Sequence, residues 1–309
     1  MYIEILGSAA GGGFPQWNCN CRNCRWLREG TLAGKARSQT QVAVSHTRDS
    51  WFLLNASPDL RTQIERTPSL HPRGKGRHSP IGGVLLTGAD VDQVAGLLSL
   101  REWHRFGLYC APSIRRILAE DNSIFQMLER VPNQLSWHEV TPEKSFPLLD
   151  PAGTNSGICC TVFPLAGRYP AYVLPRRSFD LKPDEAQWGV ILESPSGGRL
   201  AYLPAVGDLS PSLVERLARV DLMLFDGTFW SDDELIEVEG RGSSAREMGH
   251  IPVSGTNGSL EKLAGLRRPR KVLIHLNNTN PILDESSTPY REVREAGWEV
   301  AQDGDRFEL

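Results

Sequence analysis

Three cysteines stand within six positions of one another in "GGGFPQWNCNCRNCRW", residues 11–26. Three thiols cannot all pair as disulfides, but the spacing C-x-C-x-x-C lets Cys19, Cys21 and Cys24 bend round one tetrahedral ion through short metal–thiolate bonds. A fourth ligand must then come from elsewhere in the chain, and the competing reading is three reduced, unligated thiols. Other chemistry-bearing residues follow apolar runs. "LLNASPD" ends at Asp59, "VLLTGADVDQ" at Asp90, Asp92 and Gln93, and "LMLFDGT" at Asp226. "VLIHLNNTN" ends at His275, with Asn277, Asn278 and Asn280 close behind. Strand ends gather at one edge of a sheet, so such residues can converge on a site. Each aspartate has an ordinary alternative as a turn or helix-cap residue, Asp90 or Asp92 above all, because a helix begins near Gln93.

The elements that must position these groups alternate along the chain. "YIEIL", "QVAVS", "WFLLNAS", "GVLLTG", "LYCAP", "ICCTVF", "GVILES", "RLAYLP", "DLMLFDG", "KVLIHL" and "RFEL" are short, apolar and bounded by turn formers, which predicts strands. "DLRTQIERT", "DQVAGLLSLREW", "PSIRRILAED", "SPSLVERLARV", "SLEKLAGL" and "PYREVREAG" carry apolar residues at three- and four-residue intervals, which predicts helices. Strands and helices interleaved over the whole length predict a layered α/β protein, read as one domain over residues 1–309. The polar stretches 71–80, 174–187 and 237–249 read as surface loops. The small residues of "GSAAGGG" suit a close backbone approach at a site wall, and Phe14, Trp17 and Trp230 are placed to flank an aromatic substrate or to fill core.

With 40% hydrophobic and 23% charged residues, a net charge of −3 and a pI near 6.2, the 309-residue chain has an ordinary globular balance. That balance argues against nucleic acid or an anionic membrane as partner and for a small substrate. "MYIEILGSAA" lacks a basic segment followed by a long apolar one, and no run approaches the length of a membrane span, so the expectation is a cytoplasmic protein with reduced cysteines. Cys110, Cys159 and Cys160 are then expected as small buried hydrophobes.

The order of strands, "SPD", "TGADVDQVAGL", "FDGT", "MGH" and "IHLNNTNP" resembles the metallo-β-lactamase superfamily. More narrowly, "LGSAAGGGFPQWNCNC", "NASPDLR", "LLSLRE", "DGTFW", "REMGH" and "HLNNTNPIL" resemble the pyrroloquinoline quinone (PQQ) biosynthesis protein B family, from residue 6 to about residue 283. The resemblance implies an α/β fold of the metallo-β-lactamase kind, a four-layer αββα sandwich. It also aligns the superfamily's H-x-H-x-D-H loop with Gly88, Ala89, Asp90, Val91, Asp92 and Gln93, so all three loop histidines are absent and a two-zinc hydrolase becomes the weakest reading.

What the resemblance leaves is a smaller ligand set. It places Asp92, Asp226, His250 and His275 at catalytic metal positions, with Asp90 and Gln93 as further iron candidates, and two imidazoles with carboxylates suit mononuclear iron(II). It places Asn278 where a related phosphodiesterase branch joins a histidine to the cysteine trio around a structural zinc. The activity it implies is iron- and dioxygen-dependent hydroxylation of the tyrosine in a Glu-Tyr dipeptide, an oxidoreductase step of PQQ biosynthesis. The competing reading is a carrier or transport protein for PQQ or its precursor. The expected partners are that peptide-derived substrate or precursor, with no nucleic acid and no membrane insertion, and a second copy of the chain in a homodimer.

Overall fold

The structure, a computed structural model, describes residues 1–173 and 180–309. Part of the predicted loop 174–187 therefore lies outside the described residues. The chain divides into two compact units, one of Met1–Leu6, Gln41–Gly198 and Gly304–Leu309, the other of Gly7–Thr40 and Arg199–Asp303.

The first unit is built on a sheet of order β14-β1-β2-β3-β4-β5-β6, comprising β1 (Tyr2–Gly7), β2 (Gln41–Ser45), β3 (Trp51–Leu54), β4 (Ile81–Leu85), β5 (Phe106–Cys110), β6 (Leu135–Glu139) and β14 (Arg306–Glu308). β2 and β3 are antiparallel neighbours, whereas β3 to β6 run parallel and so need crossovers. Those crossovers carry α2 (Leu60–Arg66), α3 (Val91–Val94) and α4 (Pro112–Arg115), the last two continued by tighter or wider helical turns. β2 to β5 are buried at every position, so these runs are apolar instead of alternating, save for the buried polar ends of β2, Gln41 and Ser45. The ends of the chain close the sheet. Tyr2 lies opposite Glu308 in an antiparallel pair, and the terminal amine bonds to the Leu309 carbonyl. An antiparallel run of β7 (Ser145–Leu149), β8 (Asn155–Pro164) and β9 (Trp188–Glu193) completes the unit.

The second unit holds four successive parallel strands, β10 (Arg199–Leu203), β11 (Leu222–Asp226), β12 (Arg270–Ile274) and β13 (Trp298–Val300). α5 (Pro211–Leu217), α6 (Glu234–Glu239) with α7 (Ser259–Lys262), and α8 (Thr288–Glu295) make the crossovers. α5 and α8 begin where the sequence signals it, with the Ser210 and Ser287 hydroxyls accepting from Leu213 and Tyr290 N–H. The register sets Asp226 beside Ile274, so His275 starts where β11 ends.

Several expectations give way. β6, β7 and β13 are short or polar, and Pro147 is tolerated in β7 because that strand pairs with β8 alone on a sheet edge. α1 (Arg22–Glu29) is polar enough to escape a periodicity reading, although Gly30 at φ +72° ends it in the usual left-handed cap. Residues 237–239 of the predicted loop 237–249 finish α6. Cys110 and Cys160 are buried as expected, but Cys159 is exposed, because neighbours on β8 face opposite sides. Phe14 is core at 2% exposure, while Trp17 is 85% exposed. No helix among the described residues is long and apolar enough to cross a membrane.

Candidate metal centres

Two groups of metal-ligating side chains among the described residues bring their ligand atoms within 4.8 Å of one another, and both are complete within the second unit. One is the trio Cys19, Cys21 and Cys24; the other is Asp226, His250 and His275.

Cys19 and Cys21 stand in the loop before α1, and Cys24 is fully buried in its first turn. Asn278, from the loop after β12, brings its amide Nδ2 to 3.2 Å from Cys19 Sγ, 3.6 Å from Cys21 Sγ and 3.5 Å from Cys24 Sγ. Tetrahedral zinc, with Zn–S of about 2.3 Å and Zn–O of about 2.0–2.2 Å, separates its sulfur and oxygen vertices by about 3.5 Å. The end of the Asn278 side chain therefore occupies the place of a fourth vertex. It turns its N–H groups toward sulfur here, and a half-turn of the amide presents oxygen at the same point. The thiols share protons unequally. Hydrogen bonding from Cys24 draws the Cys21 thiol down to about 5 against the opposing effect of burial, while that same bond pushes Cys24 up and burial pushes Cys19 up.

Asp226, the last residue of β11, is fully buried. Its Oδ1 accepts from the Thr228 N–H at 3.0 Å and hydroxyl at 2.6 Å, and its Oδ2 accepts from the Val206 N–H and His250 Nδ1, both at 2.8 Å. Burial pushes this carboxyl up, but the His250 and His275 imidazoles and the Thr228 hydroxyl outweigh it, and the group lies below its ordinary value. Because the single Thr228 hydroxyl proton goes to Asp226, Thr228 Oγ1 must accept from His275 Nδ1, 2.8 Å away. Both rings then carry hydrogen on Nδ1, so Nε2 is the nitrogen of each ring that a neutral form would offer to a metal. The rings stack at 5.6 Å with 20° between planes. His275 adopts φ +63°, a left-handed conformation that a side-chain-bearing residue holds only when its surroundings fix it.

Two imidazole nitrogens with one carboxylate are the donor set of a mononuclear iron(II) centre, and the spacing suits one ion. All four hydrogen bonds to Asp226 nevertheless come from protein donors, so in this arrangement it orients His250 and holds the strand end together.

The remaining predicted residues belong to the first unit. Asp90 and Gln93 form a capping box at the start of α3, with Gln93 Oε1 accepting from the Asp90 N–H at 3.3 Å and the Asp90 side chain accepting in return. Helix capping, the ordinary alternative read for this stretch, thus accounts for both without a metal. Asp92 sits half-buried in the first turn of α3. At Gly88, a Cβ would lie 2.4 Å from Gln93 Oε1 and 2.8 Å from Gln187 Oε1, so two glutamine amides fill the space a larger residue would need.

Sequence reasoning passed over Thr228, Asn23 and Glu234, and named Asn280 only as a residue close behind His275. Asn280 Nδ2 donates to the carbonyls of Gly227 and Thr228, and Asn23 Nδ2 to those of Asn278 and Asn280. Of these, Thr228 was the findable one, since Asp-x-Thr at a strand end is the pattern by which a hydroxyl and N–H fold back onto a carboxylate.

Residues 50–276 match the family model described as the beta-lactamase superfamily domain. The chain is 43% identical over 309 residues to the coenzyme PQQ synthesis protein B of Azotobacter vinelandii, with all of both chains covered. It is 42% identical over 310 residues to the protein of the same name from Pseudomonas syringae pv. syringae, again with full coverage. Among solved structures it is similar to zinc-bound PqqB from Methylobacterium extorquens, at a TM-score of 0.91 and 39% identity over 100% of both chains. The fold is the metallo-β-lactamase fold, with mixed sheets and helices. By full-length likeness in sequence and in backbone, the chain belongs to the beta-lactamase superfamily and, within it, to the coenzyme PQQ synthesis protein B family.

Proposed function

We propose that this chain acts in the biosynthesis of PQQ as a cytoplasmic, iron- and dioxygen-dependent hydroxylase of the tyrosine in a Glu-Tyr dipeptide. Family membership supports the biosynthetic role, and the observation that carries the oxygenase reading is the Asp226–His250–His275 cluster. His250 and His275 would hold iron through an imidazole nitrogen each, with Asp226 the carboxylate of the same cluster. Iron(II) bound there would supply dioxygen activation, which no side chain of this protein provides. The chain's own residues do the positioning. Thr228 and Asp226 fix both imidazole tautomers, and the buried, ionised Asp226 carries the negative charge that balances a bound cation. In the second cluster Cys19, Cys21 and Cys24 would hold a structural zinc with the Asn278 oxygen, a reading supported by the zinc-bound relative.

The test is protein purified without air, loaded with iron(II) and given dioxygen, the dipeptide and a two-electron reductant such as ascorbate, so that one oxygen atom enters the ring and the other leaves as water. Mass spectrometry should show one added oxygen on the tyrosine, lost in His275→Ala, while one zinc per chain remains in that variant. A parent protein that holds iron yet leaves the dipeptide unchanged would instead favour the carrier reading. One observation supports that alternative. The loop that binds metal elsewhere in the superfamily is here packed with the amides of Gln93 and Gln187.

A further inference from the structure

The two clusters are joined by six residues, His275 to Asn280, and every polar group of the last one is engaged. Asn280 is fully buried. Its N–H bonds to the Asn277 carbonyl at 3.0 Å, and its own carbonyl accepts from Asn23 Nδ2 at 2.9 Å. Its Oδ1 caps the next turn by accepting from Ile282 N–H at 3.0 Å. Its Nδ2 spans to the carbonyls of Gly227 at 2.9 Å and Thr228 at 3.3 Å. Asn23 lies between Cys21 and Cys24, and Thr228 is the residue whose hydroxyl touches Asp226, His250 and His275. A continuous line of bonded groups thus runs from the thiol trio through Asn23 and Asn280 to the backbone of Thr228. Such a line transmits position only if its members have few alternatives, and a buried amide with both protons and its oxygen committed has few.

We infer that Asn280 is a positioning residue through which loading of the thiol cluster sets the geometry of the Asp226–His250–His275 cluster, so that a metal in the first strengthens metal binding at the second. This rests on the reading that both clusters hold metals. When the thiols close round an ion, α1 and the 277–280 loop are pinned together at Asn23 and Asn278. Asn280 then holds the Gly227–Thr228 peptide fixed, and with it the hydroxyl that sets both imidazole tautomers. With the thiols unloaded, that peptide gains freedom and the histidine pair must be ordered at the expense of binding. Linkage makes the coupling reciprocal, and tenfold is a typical size.

Cobalt(II) serves as the probe. With zinc preloaded on the thiol cluster, cobalt titrated anaerobically into the histidine cluster is read from its visible absorption, and a thiolate charge-transfer band would reveal cobalt at the cysteines instead. The parent should bind second-site cobalt about tenfold more tightly than Cys21→Ser, whose thiol cluster cannot load. Asn280→Ser keeps a hydroxyl to cap Ile282 but cannot reach Gly227 or Thr228. It should retain one zinc yet bind second-site cobalt as weakly as Cys21→Ser, and the imidazole nitrogen shifts of His275 should leave the single Nδ1–H tautomer. A second site that fills equally well in parent and Cys21→Ser overturns the coupling while leaving the functional reading in place, and this comparison stands alone should Asn280→Ser fail to fold. Asn280→Ser binding with parent affinity and parent tautomers overturns the role of Asn280. A parent that takes no second-site cobalt overturns the coupling and the oxygenase site together.

Discussion

Glu234 is a buried acid that neither cluster uses as a ligand. Its Oε1 accepts from the Thr279 hydroxyl and its Oε2 from the Trp230 N–H, and burial raises its pKa to about 7 although those bonds oppose the rise. Between the unfolded value of 4.5 and about 7 the unfolded chain has released this proton while the folded chain keeps it, so this term loses stability as pH rises through that window. Glu234→Gln removes the titration and still offers an oxygen acceptor. In metal-stripped protein, its stability relative to the parent should rise by about 3 kcal/mol between pH 4.5 and pH 8, measured by urea unfolding at each pH. A difference independent of pH would mean that the carboxyl is ionised throughout. Glu234 could not be read from the sequence, because an acid in "SDDELIEVEG" looks like the solvated face of a helix. The cysteines were legible because few other uses explain three thiols at that spacing, and Asn278 was legible only through family resemblance.

At the scale of elements, the start of α3 decides what Gln93 does. An amide engaged in a capping box, beside a glycine with no room for a side chain, is structural in that place. Gln93→His should therefore cost about 1 kcal/mol through the lost cap and leave the metal stoichiometry of the parent unchanged, as thermal unfolding and elemental analysis would show. An additional equivalent of iron in the variant would return this position to the metal site. Strand ends were the legible part of the site. Asp226 and His275 follow the two most apolar runs of the second unit, and parallel register brings their ends level without help from the loops. His250 was not legible this way, since it reaches Asp226 from an irregular loop anchored by its own N–H to the Ala245 carbonyl and by Ile251 N–H to the Val206 carbonyl. The short edge strands β6 and β7 were missed for a related reason. Pairing on one side alone relaxes the apolar pattern by which strands are recognised.

For the whole molecule, the antiparallel pair of β1 and β14 gives the chain a property its linear order hides. The Met1 carbonyl accepts from the Leu309 N–H at 2.9 Å, so the first and last residues are hydrogen-bonded neighbours inside one sheet. A short linker could therefore join residue 309 to residue 1 without disturbing the sheet. A gene that joins residue 309 to residue 1 through a few glycines and begins instead within the exposed stretch 73–77 should encode a circular permutant that keeps both candidate metal clusters of the parent. Its circular dichroism and zinc content should equal those of the parent. A permutant that fails to fold would show that the free ends themselves are needed to close the sheet.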